Sequence, residues 1–257
     1  MDTPTLEAAA QALAGARYAI ALVGAGVSVE SGIPPFRGAG GLWTKRGEPP
    51  MDGYRRMRDD PGRYWTDMLA RRKGDDEFVT ALNAAQPNAA HLALAELERR
   101  GVLKHLITQN IDNLHVLAGS TAMTEIHGNR TKLRCVDCAA RWPFDEFTIT
   151  GIPPACPHCG SLVKSDTVMF GEPIPEPWLA ECYRQAERAD CILIAGTSAT
   201  VTPAAWFPEV VLNNGGALIE VNTEPTPFSP HCVAVLRGPA GELLPPLVER
   251  VAAITAR

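Results

Sequence analysis

The sequence predicts a doubly wound α/β fold, a parallel sheet with helices on both faces and a smaller inserted lobe. Three observations predict it. Short, continuously apolar runs at Tyr18–Val23, Leu103–Thr108, Cys191–Ala195 and Ala217–Val221 read as strands covered on both faces. Helical patterns alternate with them, as βαβ units require. The first run leads directly into Gly24-Ala25-Gly26, a turn where such sheets approach a phosphate.

In chain order, Thr3-Pro4 reads as an N-cap and a first-turn proline, opening a helix to about Ala16 with Leu6, Ala10 and Leu13 on one face. The strand at 18–23 and its glycine turn follow, with a helix N-terminus expected behind the turn. Residues 38–78 are rich in Gly, Pro, Arg and Asp, with Trp43, Tyr54, Tyr64 and Trp65 as isolated anchors. They break the alternation and are read as a helical insert. His91–Arg100, with Leu92, Leu94 and Leu97, and Pro177–Arg188 read as helices. Residues 131–164 hold Cys135-x2-Cys138, Cys156-x2-Cys159 and four prolines, the pattern of a zinc ribbon. The expected division is therefore 1–37, 79–130 and 165–257 as a Rossmann-like dinucleotide domain. The segments 38–78 and 131–164 together form the small domain.

Composition narrows the function. The chain has 257 residues, 46% of them hydrophobic, ample for one large core. A net charge of −5 argues against nucleic acid as a direct partner. Arginines at 55, 56, 58, 63, 71 and 72 crowd one stretch, which reads as a solvated helical face or a local basic patch. No apolar window approaches the ~20 residues needed to span a bilayer, so no membrane partner is expected. The acidic start, Asp2 and Glu7, is unlike a signal peptide, and a cytoplasmic location is the default. In a reducing compartment, paired CxxC units bind metal more readily than they form disulfides. Zn2+ is thus expected on Cys135, Cys138, Cys156 and Cys159; four thiolates saturate the ion, making it structural. The oligomeric state is left open.

The glycine turn alone is a weak signal. Val29 stands where a third glycine is usual, and no acidic residue ends a second strand about twenty positions on. The wider string is specific. Gly24-Ala25-Gly26-Val27-Ser28-Val29-Glu30-Ser31-Gly32-Ile33-Pro34-Pro35-Phe36-Arg37-Gly38 resembles the sirtuin signature GAGxSxxSGIPxFRG. Thr108–His115, His127-Gly128-Asn129, Val168–Glu172, Gly196-Thr197-Ser198 and Glu220–Glu224 match in the same order. The resemblance, over about residues 18–235, implies an NAD-dependent deacylase of protein lysine that yields O-acyl-ADP-ribose. Acylated lysine proteins or peptides would be its substrates.

Breaking the nicotinamide–ribose bond leaves an electrophilic carbon that an amide oxygen captures, and a ribose hydroxyl must then attack. A histidine suits the base this needs at neutral pH. His127, in the HGN segment, is the candidate. His91, His105 and His231 read as structural, His115 as support for its loop, and His158 as a knuckle residue outnumbered by four cysteines. The resemblance assigns Asn110 to the ribose and reacting water, and Asp112 to the nicotinamide carboxamide. It gives Gln109 the ribose hydroxyls, Phe36 a shield over the ribose face, and Arg37 the ordering of the phosphate loop. Gly24, Ala25, Gly26, Ser28, Ile33, Trp43, Gly196, Thr197 and Ser198 complete the cofactor set. Asn222 and Glu224 approach the adenosine ribose; Cys232, with Val233, lies near adenine or is structural. Substrate contacts fall on Met68, Arg71, Val168, Phe170, Gly171 and Glu172, with the peptide adding as a strand beside 168–172.

The string Phe36–Trp43 resembles the succinyl- and malonyl-removing branch, whose Tyr-x-x-Arg pair grips an acyl carboxylate. Here Met68 stands at the tyrosine position and Arg71 at the arginine. A thioether in place of a hydroxyl favours an uncharged acyl chain; Arg71 is then half a clamp or an ordinary surface residue. Pro35, where aspartate is common, stiffens the loop. Other readings of the same residues are a mono-ADP-ribosyltransferase, an NAD glycohydrolase, or a non-catalytic NAD sensor.

Overall fold

The computed structural model describes residues 3–36, 41–74 and 76–256. Among them nine strands run in chain order: β1 Ala19–Val23, β2 Leu103–Thr108, β3 Met123–Glu125, β4 Lys132–Cys135, β5 Arg141–Pro143, β6 Val163–Ser165, β7 Cys191–Ala195, β8 Ala217–Asn222 and β9 Ala234–Arg237. The α-helices are α1 Thr3–Gly15, α2 Leu42–Arg46, α3 Gly53–Asp59, α4 Pro61–Lys73, α5 Glu77–Ala84, α6 Ala89–Arg99, α7 Leu114–Leu117, α8 Glu176–Arg188, α9 Trp206–Asn213 and α10 Ala240–Thr255.

The large sheet is parallel throughout and ordered β3-β2-β1-β7-β8-β9. The period-2 geometry of a strand explains why its apolar runs are continuous. Ala19, Ala21 and Val23 face one core with Leu13, Leu94, Leu97 and Leu247 of α1, α6 and α10. Ile20 and Leu22 face a second core with Ala186, Phe207 and Val211 of α8 and α9. Strands β3 and β9, three and four residues long, carry too little sequence for a periodic signal.

Local caps set the helix starts. Asn88 accepts from the backbone N–H groups of Ala90 and His91, while Asn88 N–H returns a bond to His91 Nδ1, so α6 begins before His91. Asp60 caps α4 through Arg63 N–H ahead of a first-turn proline. The helix expected behind the glycine turn is a seven-residue 3-10 segment, Ala25–Ser31, rather than an α-helix.

Strands β5-β4-β6 form a separate antiparallel sheet. Its core holds Leu133, Cys135, Cys156, Val163 and Trp65 of α4, the last fully buried with Nε1–H donating to Val163 O at 2.8 Å. The helical insert and the ribbon thus share one hydrophobic cluster.

Candidate active site

The strand order reverses between β1 and β7, and their following loops meet at that switch point. Gly26 N–H donates to Gly196 O at 2.8 Å. A Cβ on Gly26 would lie 2.6 Å from Gly196 Cα, so glycine is required by loop-on-loop packing as well as by any phosphate. Behind this crossing, Gln109 Nε2 donates to Thr197 Oγ1 at 2.9 Å and Asn222 Nδ2 to Thr197 O at 3.0 Å. Ser198 Oγ, exposed, meets Thr200 Oγ1 at 2.9 Å. This open backbone cradle, flanked by amides and hydroxyls, suits a dinucleotide.

Ser28 is the hub of the next layer. Asn88 N–H donates to His91 Nδ1 at 3.3 Å, so the neutral ring carries its proton on Nε2, 3.3 Å from Ser28 Oγ. Ser28 therefore accepts from His91 and from Asn110 Nδ2 (3.1 Å), and donates to Asp112 Oδ2 at 2.7 Å. Burial pushes the His91 pKa down to about 4, against a raising influence from Asp112, which keeps the ring neutral. Asp112 Oδ1 takes Leu114 N–H at 2.9 Å, and Asn110 Nδ2 also reaches Gly24 O at 3.1 Å. Glycine turn, Asn110 and Asp112 thus converge on one hydroxyl. Sequence reasoning placed His91 outside the site. The signal available was the capping box from Asn88 to His91, which aims an imidazole back at the 24–31 loop. His115 lies against His91 with ring centroids 4.8 Å apart and planes tilted by 57°, buried, with no hydrogen bond to either ring nitrogen among the described residues.

His127 follows β3. Its Nδ1 lies 3.1 Å from Gln109 O. A carbonyl only accepts, so Nδ1 holds the proton and Nε2 keeps a free lone pair. Desolvation lowers the ring's pKa below its ordinary 6.5, despite the opposing bond to Gln109. Gly128 must be glycine: φ is +74°, and a Cβ would sit 2.1 Å from Asp166 O. His127 O accepts Val168 N–H at 2.8 Å, fixing the 168–172 segment beside the imidazole.

Aromatic rings line the same region. Phe36 lies 4.9 Å from Trp43 and 6.1 Å from Phe78, and Trp43 lies 5.5 Å from Phe170. Trp43 N–H donates to Phe36 O and Tyr54 N–H to Phe170 O, tying the insert to the cofactor loop and to the 168–172 segment. Ile33 is buried with Leu82, Ala85 and Leu114, beneath the loop. Arg37 lies outside the described residues.

The remaining expected residues have contacts of their own within the protein. Glu172, expected at the substrate, turns its carboxylate inward, where Oε1 takes Arg134 Nη2 at 2.6 Å and Oε2 lies 3.0 Å from Lys164 Nζ. Two buried cations outbid a solvated cleft for it. Met68 rests against the ribbon cluster with Tyr64 and Leu69, while Arg71, three residues on, is exposed. Cys232, half-buried, donates to Phe228 O at 3.3 Å, and Glu224 O is held by Arg237 Nη1 at 2.5 Å. His105 bonds Thr124 Oγ1 and His158 stacks on Trp142, both structural.

The four cysteines of the ribbon place their Sγ atoms within 4.8 Å of one another. Cys135–Cys159 and Cys138–Cys156 are separated by 3.5 and 3.6 Å. A zinc–thiolate tetrahedron with bonds of about 2.3 Å has edges of about 3.8 Å. Disulfides would require about 2.05 Å. The donor set fits Zn2+, with no open coordination position.

A model of the Sir2 family matches residues 24–203. The NAD-dependent protein deacylase of Thermococcus kodakarensis is 45% identical over 254 residues, covering 96% of both chains. A solved Sir2 homologue variant with ADP-ribose superposes with a TM-score of 0.81 at 41% identity, covering 100% of this chain and 98% of its own. A Sir2 homologue complexed with NAD gives 0.79 at 42% identity, with coverage of 99% and 95%.

Proposed function

The chain belongs to the Sir2 family, and from that premise we propose that it removes acyl groups from protein lysine side chains in an NAD-dependent reaction. The observation that carries the assignment is His127, held in one tautomer by Gln109 O with Nε2 free, next to the switch-point cradle. NAD, when bound, supplies an electrophilic ribose carbon as nicotinamide leaves. Asp112, oriented by Ser28 and Leu114 N–H, holds the carboxamide; Asn110 meets the ribose and reacting water. Gln109 meets ribose hydroxyls, and Asn222 and Glu224 the adenosine end. Phe36 shields the ribose face, and Arg37 orders the phosphate loop. His127 Nε2 takes the proton of the ribose hydroxyl, and O-acyl-ADP-ribose, nicotinamide and free lysine are the products.

The acyl-lysine peptide lies along 168–172, where main-chain pairing makes recognition tolerant of sequence. An uncharged acyl chain is preferred over succinyl. The aromatic set Phe36, Trp43, Phe78 and Phe170 supports this, as does the absence of a hydroxyl at Met68. The two CxxC units hold Zn2+ as a structural staple. Paired CxxC units placed to bind metal rather than to form disulfides favour a reducing, cytoplasmic setting.

The test is mass spectrometry of NAD reactions with matched acetyl, butyryl, myristoyl, malonyl and succinyl lysine peptides, beside His127→Ala. O-acyl-ADP-ribose that disappears in the variant is the expected result. Nicotinamide release without deacylated peptide would move the chain to ADP-ribosyl transfer or NAD hydrolysis. Succinyl turnover faster than every uncharged acyl peptide would overturn the chain preference.

A further inference from the structure

A cavity of about 400 Å³ lies on the far side of β3 from the cofactor cradle, between the ribbon and the start of α8. Lys132, Arg141, Trp178, Ser120 and Thr121 are among its walls. It belongs to none of the roles assigned above.

Two cations of its wall, Lys132 and Arg141, share one carboxylate, Glu125, on the same wall. Lys132, Arg134, Arg141 and Lys164 form one ionic network with Glu125, Asp166 and Glu172, four cations to three carboxylates. Lys164, lowered by burial to about 8, is still mostly protonated at pH 7. The two cations on the cavity wall also have donors to spare. Lys132 Nζ, with three protons, has one partner, Glu125 Oε2 at 2.7 Å. Arg141 uses Nε and Nη2 on Asp166 and Glu125, and Nη1 has no partner among the described residues. On the opposite wall Glu181 is engaged by Arg184 at 2.6 Å and Gln185 at 2.5 Å. Val116, Met123, Pro177 and the Trp178 indole supply apolar surface.

We propose that this cavity binds a small organic carboxylate, its head group on Lys132 Nζ and Arg141 Nη1 and its apolar body against Val116 and Met123. Spare donors on two cations that share one carboxylate ask for an anion, and the apolar walls ask for carbon rather than an inorganic ion. Occupancy would be felt at the catalytic base. Glu125, which both cations share, lies two residues before His127, and Asn129 binds Glu125 and Asp166 at once.

The probe is cyclohexanecarboxylate, titrated into the zinc-loaded protein by calorimetry and thermal melting at constant ionic strength. Cyclohexanecarboxamide is the neutral control. The acid should bind and raise Tm with concentration, the amide should not, and saturating ADP-ribose should leave binding in place. Lys132→Met should weaken binding about tenfold. Val116→Trp, at a position 43% exposed and outside the ion network, should fill the cavity and abolish binding. Equal binding of acid and amide, displacement by ADP-ribose, or binding unchanged in both variants would each overturn the proposal. The readout is binding, so it stands or falls apart from the deacylase assignment.

Discussion

At His127 one backbone carbonyl takes the Nδ1 proton and thereby leaves Nε2 as the only basic atom. As the proposed base, His127 acts as the neutral ring, and burial lowers its pKa, so the acid limb of kcat/KM should lie below pH 6.5. A limb centred above 6.5 would assign it to another group. His91 and His115, pushed by burial to about 4 and about 3, act on stability instead. Their folded values lie below the unfolded value near 6.5, so the unfolded chain binds more protons as pH falls. Their contribution is present above 6.5 and is lost on acidification through the window down to about 4. Thermal melts from pH 7 to 4.5 should show Tm falling, and His115→Phe should flatten that slope. Gly26→Ala is expected to cost NAD affinity through displacement of the Gly196 loop, measurable as a raised KM for NAD. An unchanged KM would mean that the loops part without consequence.

The ribbon depends on two supports of different kinds, four thiolates and one indole. Trp65 joins α4 to β6, and large-to-small changes at such a site cost roughly 3–5 kcal/mol. Trp65→Ala should therefore lower Tm by many degrees. Chelation of zinc should open β4, β5 and β6 first, because the four thiolates belong to that small sheet. Hydrogen exchange after chelator treatment should show protection lost there and retained in β1 and β7. Uniform loss across both sheets would mean that the ribbon and the large sheet unfold as one unit.

Over the whole molecule, the two sheets are joined by a buried ionic network rather than by apolar contact alone. Glu172 compensates Arg134 and Lys164, each at most 4% exposed, and removing one member of a buried pair costs about 3–5 kcal/mol. Glu172→Gln should thus lower Tm strongly with a minor change in peptide KM; the reverse split would return Glu172 to the substrate cleft. This part of the molecule was not legible in the chain. Arg134 and Glu172 are 38 residues apart, and Ser28 and His91 are 63 apart. No spacing rule links such pairs, and a residue is recruited only once folding has removed water from around it. By contrast, apolar runs, the Gly24 turn, the four cysteines and His127 in its HGN segment are contiguous features. Strand burial, turn geometry and metal-ligand spacing act over a few residues, so the sequence by itself determined the four inner strands of the sheet, the zinc ribbon and the family. The tertiary structure alone decided that His91 reaches Ser28, that Glu172 turns inward, that Met68 rests on the ribbon, and that a cationic cavity opens behind β3. Each of these is a competition among distant groups for burial and charge, which only the packed chain resolves.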